Sequence, residues 1–443
     1  MVRNVSMNNP LQTRVLRLLS ASIFGMFLIS TTPAFAATTA PAPAATDANR
    51  IKALESKIDS LQNDVSQMAS GLARRSGESD GLQMHGFMDV GYANNTMADP
   101  VNFPKGFFVG SLSFYLTPHF GDKVKALVEP NFEVTPDGAV ATDLERVQIG
   151  YTFSDAATGW MGRFHTPYGY WNTAFHHGAQ MQTSVMRPRF LDFEDKGGIL
   201  PAHMVGLWGT GKVRAGDGKF TYDIFAGNGP KIVMGQNPVD PTNPSIAVPQ
   251  SGGILDMNQA GDDNHQAMVG INIGYEFSGM MDGLRFAVHS MRGDVIDDSN
   301  GTLPPPPLPS TNNKTELNMV GGSLVYLGNE WELMTELYRF NNKDKSGNNN
   351  QYKSSASYLQ IGRAFGSFTP YIRKEITNLD QQDNYFRMQA SGQSYTRYAG
   401  GFKYDLDPKA SIKIEELYSN FADEPGRTAY KYHSLYIQYA IRF

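Results

Sequence analysis

The chain has 443 residues, with Lys+Arg 38 against Asp+Glu 43, a formal net charge of -5, and no cysteine. That balance leaves no basic footprint for nucleic acid, and the missing thiols exclude a disulfide framework and a thiolate metal site. Aromatics reach 12% and glycines number 44, mean hydropathy is negative, and no internal stretch approaches the roughly twenty apolar residues of a membrane helix.

Arg3, Arg14 and Arg17 precede an apolar run from Leu18 to Ile29, and Ala34-Phe35-Ala36 places small residues for cleavage after Ala36. This predicts a secretory signal peptide over 1–36; the run is too short to be a stable anchor. Residues 37–50 have the composition of a flexible linker. Over 51–75 the period changes. Ile51, Ile58, Val65 and Leu72 take heptad position a, and Leu54, Leu61 and Met68 take position d. So short a seam needs a partner to persist in water. β-branched residues at a favour two strands, a trimeric barrel would impose three, and an amphipathic helix packed on the next domain is the alternative. Residues 76–85 read as a second linker.

From 86 to 443 one strand signal follows another. Sixteen runs are expected: 86–94, 106–117, 122–134, 142–153, 159–166, 203–213, 218–228, 265–277, 283–294, 315–326, 330–341, 353–365, 367–378, 395–405, 409–421 and 428–443. The last closes on YIQYAIRF, and along its final ten residues Leu435, Ile437, Tyr439 and Ile441 alternate with Ser434, Tyr436, Gln438, Ala440 and Arg442. Connections sort by length. TPHFGD, SDAATG, RAGDG, SGMMDG, LGNE and LDP are tight turns, whereas 167–202, 229–264, 296–314, 342–352 and 379–394 are long. An even strand count with short turns at one end and long loops at the other predicts a 16-stranded antiparallel transmembrane β-barrel, with lipid outside and water within. The outer-membrane lipid is then its solvent, and the heptad helix lies in the periplasm.

Residues 86–443 resemble a Gram-negative porin, and YIQYAIRF resembles the terminal-aromatic signal read through Phe443 by the outer-membrane assembly machinery. More narrowly, V-Q-I-G-Y followed by G-R-F-H-T-P-Y-G (Gly162 to Gly169) resembles the phosphate-selective porin group. In that group a Gly-x-Phe-x-x-Pro-Phe/Tyr-Gly pattern opens the third loop, and a coiled coil can precede the barrel. The group's phosphate route is lined by a run of arginines and lysines; no dense basic run is present here.

A sixteen-stranded bore is too wide for side chains to fill, so sieving calls for a loop folded inward. The candidate is 167–202, carrying His176, His177, Arg187, Arg189, Asp192, Glu194, Asp195 and Lys196; a lid or a latch between subunits is the alternative. If the apolar parity faces lipid, Lys123, Lys125, Arg146, Arg163 and His165 face the lumen, joined by Arg442, with Glu276, Glu332 and Glu336 across the bore. Such opposed charges would impose a transverse field on passing solutes. His176-His177 and Asp262-Asp263 lack ligand spacing on a defined element, so no metal or other cofactor is expected. No G-x-S-x-G, P-loop or H-E-x-x-H occurs, so an enzyme is not expected. The leading expectation is a homotrimeric outer-membrane porin for passive diffusion of small hydrophilic solutes and ions, with mild anion preference. A substrate-specific channel for phosphate or carboxylate and an envelope-tethering structural protein are the alternatives.

Overall fold

The structure is a computed structural model that describes residues 82–96, 105–134, 138–175, 178–234, 253–257, 261–262, 265–297 and 313–443. The expected signal peptide, first linker and heptad segment lie outside the described residues.

Strands β1 (Leu82–Asn95), β2 (Gly106–Phe120), β3 (Val124–Val134), β4 (Val140–Ser154), β5 (Ala157–His165), β6 (His203–Ala215) and β7 (Gly218–Asn228) form the first part of the wall. Two short strands follow, β8 (Lys231–Met234) paired antiparallel with β9 (Gly253–Asp256). The wall resumes with β10 (Ala267–Phe277), β11 (Leu284–Asp297), β12 (Asn313–Gly328), β13 (Trp331–Asp344), β14 (Gln351–Arg363), β15 (Phe368–Asn378), β16 (Tyr395–Asp407), β17 (Ala410–Phe421) and β18 (Tyr430–Arg442). Each wall strand pairs antiparallel with its neighbour, β7 passes directly to β10, and β1 pairs with both β2 and β18. The result is a closed barrel of sixteen strands, with no free edge in the ring. All sixteen expected runs coincide with wall strands. β1 begins at Leu82, inside the expected second linker.

Side-chain parity explains the wall. Ile149, Met161, Leu207 and Phe107 point outward at 64%, 67%, 59% and 89% exposure, a surface that hydrocarbon accepts and water does not. On β18, Ile437 and Tyr439 are exposed outward, while Tyr436, Gln438 and Ala440 are buried within. At the seam, Gly86 and Phe443 exchange two backbone hydrogen bonds of 3.0 Å. The Phe443 ring covers Gly86, where a side chain would collide with it, and it packs edge-on to Phe114 at 6.0 Å. An aromatic thereby seals the place where a glycine leaves backbone bare. Glu416, the one carboxylate on the outward face of β17, lies 3.9 Å from His433 on β18.

The interior is not evenly filled. One apolar cluster joins the inner wall (Met291, Met319, Met334, Tyr338, Phe340, Tyr358) to the loop after β5 (Tyr168, Trp171, Phe190, Leu200), to the β8–β9 pair (Ile232, Leu255) and to the loop after β15 (Leu379, Tyr385, Phe386). β8 touches β11 in parallel through Ile296–Lys231 and Asp297–Ile232. Gly253 exchanges backbone hydrogen bonds with Met388 and Ala390. The long connections at one mouth of the barrel therefore pack on one another across β10–β15.

Candidate constriction site

The loop from Thr166 to Ala202 folds into the barrel and is held there by side chains of the opposite wall. It contains the one-turn helix α1 (Trp171–Ala174) and two short turns, Arg189–Leu191 and Glu194–Lys196. Gly162, with φ 130, turns the chain toward the loop where a Cβ would meet the Val147 carbonyl. Gly162→Ala is expected to cost about 1–3 kcal/mol in folded stability, read as a lower conversion temperature of the heat-modifiable folded band.

Glu336 on β13 is the first anchor. Its carboxylate accepts from the backbone N–H of Tyr170 at 2.9 Å and of Trp171 at 2.8 Å. It also accepts from the hydroxyls of Tyr338 at 2.7 Å and Tyr358 at 2.9 Å. Gly169, at φ 63, leaves no room for a side chain between the loop and this carboxylate. Four residues back along β13, Glu332 accepts from Thr183 and from Gln360, both at 2.6 Å. Farther round, Glu375 on β15 accepts from the N–H of Arg189 at 2.9 Å and from Tyr395 at 3.0 Å, while Arg373 donates to it at 2.9 Å. Glu415 on β17 accepts from the N–H groups of Val185 at 3.2 Å and Met186 at 3.0 Å, and from Tyr371. Lys413 donates to the carbonyls of Ala179 and, at 3.0 Å, Ser184. Tyr385, in the helical turn α2 (Asn384–Arg387), donates to the Ile199 carbonyl at 2.7 Å.

The reason is chemical. A loop leaving its strand ladder loses the partners of its peptide groups, and each buried one left unpaired is costly. Inward carboxylates supply acceptors for its N–H groups, and Lys413 supplies a donor for its carbonyls.

The loop's own charges serve it as scaffolding. Arg187 donates to the Leu191 carbonyl at 3.0 Å and to Asn172 and the Phe175 carbonyl at 3.3 Å, with its guanidinium 4.2 Å from the Phe193 ring centroid. Arg189 stacks over Phe421 at 5.3 Å. Burial raises the Asp192 carboxyl above its usual range, against the opposing charge of Arg187. Glu194 meets the His203 ring at 3.0 Å and its backbone N–H at 2.8 Å. Lys196 bonds Glu133 on β3. Asp195 sits in the turn Glu194–Lys196; His176 and His177 lie outside the described residues.

On the wall, Lys125 and Arg146 share the inward parity of Glu129, and Arg146 is paired with Glu129. Lys123 lies in the β2–β3 turn, 6.0 Å above the Tyr151 ring. Arg442 stands opposite Phe87 at the short-turn end. Glu276 faces inward with Lys212 at 3.3 Å.

Arg163 and His165, at the end of β5, are both buried at 9% exposure. Register sets Met161 against Ile149 and Leu207 on the outward parity, whereas Arg163, next to Val147 and Val205 but past Gly162 at φ 130, is covered. The inward parity of β5 is Trp160, Gly162 and Phe164. Phe164 is fully buried, and Trp160 stacks on Trp208 at 6.0 Å. Aromatic residues line the inner wall here, behind the outward-facing Met161. Arg163 meets Asp143 at 3.2 Å and Glu145 at 3.7 Å. His165 packs against His203 at 5.1 Å.

No group of residues suited to a metal ion occurs among the described residues. No described helix is long and apolar enough to cross a membrane.

No family model and no curated protein matches the sequence. Among solved structures, the fold is similar to an anion-selective porin from Comamonas acidovorans, at 10% identity and a TM-score of 0.50, covering 82% of this chain and 99% of that one. It is also similar to the outer membrane channel DcaP of Acinetobacter baumannii, at 10% identity and a TM-score of 0.50, covering 82% and 97% respectively. At such identities the likeness is one of fold.

Proposed function

We propose that the barrel is an outer-membrane porin, a water-filled channel for passive diffusion of small hydrophilic solutes and ions with a weak preference for anions. The observation that carries this reading is the inward loop, stitched by Glu336, Glu332, Glu375, Glu415 and Lys413 to the far wall. A barrel meant only as an anchor has no need of a fixed partition in its bore, whereas a sieve does. The weak anion preference rests on which charges are spent. Glu336, Glu375 and Glu415 are buried against loop peptides, and Glu276 is met by Lys212. Arg285 instead lies over the Tyr170 ring at 5.1 Å, with Lys125 exposed on β3.

In the same reading the chain is exported by residues 1–36, homotrimeric, assembled through Phe443, and joined in the periplasm by the 51–75 helices. A narrower reading, a channel specific for phosphate or a small carboxylate, is favoured by the guanidinium over the tyrosine ring. Conductance that saturates with one such solute would distinguish it. The general test is purified protein in planar bilayers. Stable open steps with a reversal potential of slight anion selectivity are expected, and no steps at all would remove the porin reading. In the double variant Arg285→Glu and Lys125→Glu, the reversal potential is expected to change sign toward cations.

A further inference from the structure

On β13, β14 and β15 the acidic residues are confined to the inward face, where Arg373 also lies, paired with Glu375. Glu332, Glu336, Asp344 and Glu375 take the inward parity. Arg339, Lys343, Lys353 and Lys374 take the outward parity of Leu337, Leu359 and Ile372, and no acidic residue shares it on these three strands. All four stand in the half of their strands nearer the long loops. Arg339, Lys353 and Lys374 are exposed, and none of the four makes an ion pair among the described residues. Lys374 lies over the Tyr398 ring at 5.5 Å. Between them the wall is shallow and polar: Arg339 is opposite Ser355, Lys353 opposite Asn341, and Ser355 opposite Asn378.

Other basic residues of the wall are matched. Arg292 on β11, Lys314 on β12 and Lys345 just past β13 are neutralised by Glu316 and Asp294 at 2.8–2.9 Å. At the short-turn end Arg363 has Glu330 at 3.6 Å and stacks on Trp331 and Phe365 at 5.1 Å. Unmatched cations on a lipid-facing wall are costly unless the lipid supplies the counter-charge.

We infer that the outward face of β13–β15 is a binding surface for a phosphorylated acyl lipid of the leaflet nearer the long loops. The phosphate is held by Arg339, Lys343, Lys353 and Lys374, and the acyl chains lie on Leu337, Leu359 and Ile372. Long basic side chains keep their stems on apolar wall and reach their charge toward the headgroup level. Serine and asparagine at the floor leave space for phosphate oxygens and offer donors to them. This surface rests on the membrane-spanning reading above but not on what the bore conducts.

The test is native mass spectrometry of the full barrel in neutral detergent, titrated with phosphatidic acid, phosphatidylcholine or inorganic phosphate. Retention of phosphatidic acid about tenfold above phosphatidylcholine is expected, since each basic residue near a lipid surface contributes a several-fold gain. The variant with Arg339, Lys343, Lys353 and Lys374 all changed to Gln is expected to lose that excess while keeping its single-channel steps. If it does not fold, Lys353→Gln and Lys374→Gln made singly are each expected to lower the excess severalfold. Equal retention of the two lipids by the unmodified barrel overturns the proposal, as does full displacement of phosphatidic acid by equimolar inorganic phosphate. Missing current in every variant, with the lipid excess intact, would instead count against the porin reading.

Discussion

Glu336→Ala is expected to enlarge and destabilise the single-channel current and to lower the temperature at which the barrel opens. The carboxylate satisfies two loop N–H groups and two tyrosine hydroxyls at a position 1% exposed. Alanine orphans all four donors, a loss on the order of 4 kcal/mol at about 1 kcal/mol each. Water can enter to relieve it only if the start of the loop lifts from β13, so the partition loosens where it crosses the bore. Glu336→Gln separates geometry from charge. It keeps one acceptor oxygen but turns amide hydrogens toward other donors, so roughly half the loss is expected. The heat-modified gel shift measures stability, and planar-bilayer recordings measure the current. A variant with unchanged steps and unchanged transition would show that the loop holds its place without this anchor.

The second large effect is a dependence on pH set by Asp383 in the loop after β15. Its carboxylate caps α2 by accepting from the Tyr385 N–H at 2.9 Å, and it accepts from Asn342 at 2.8 Å. Burial, opposed by these hydrogen bonds and aided by Asp380 and Asp344, pushes its pKa up to about 7. A carboxyl with a folded value above its unfolded one keeps its proton longer in the docked loop. Docking is therefore most stable below about pH 4 and weakens as pH rises toward 7, with a slope that cannot exceed about 1.4 kcal/mol per pH unit. Above 7 both states are ionised and the dependence ends. Because Tyr385 ties this segment to Ile199 of the constriction loop, closures or proteolysis after Arg387 should report the change. Slower cleavage at pH 5 than at pH 8 is expected, and Asp383→Asn should flatten the profile at its low-pH level. A profile that is flat without the substitution would exclude Asp383 as the titrating group.

The sequence shows the wall plainly because period two is imposed by the pleat and survives on nearly every strand. Ile437, Tyr439 and Ile441 are outward for that reason, and turn residues mark the short connections. The inward aromatics of β5 were not legible. Trp160 and Phe164 read as lipid-facing because an aromatic inner wall has the same alternation as an aromatic outer one. Nor were Glu375, Glu415 and Lys413 picked out as anchors. An inward carboxylate has the same sequence signature whether it faces water or holds a peptide N–H, and its partners lie 186 and 230 residues away. The four-residue strands β8 and β9 are set by tertiary pairing rather than by any local pattern.

The seam between β1 and β18 has a kinetic consequence. Asp89 and Gln438 meet there across 349 residues of chain, so this contact carries about the largest loop-closure entropy in the molecule. Until β18 has paired, β1 has no second neighbour, and the unclosed sheet ends in two unsatisfied rows of peptide groups that can recruit strands from other chains. Any factor that shields those rows during the delay would govern yield more than the strength of any contact inside the finished ring.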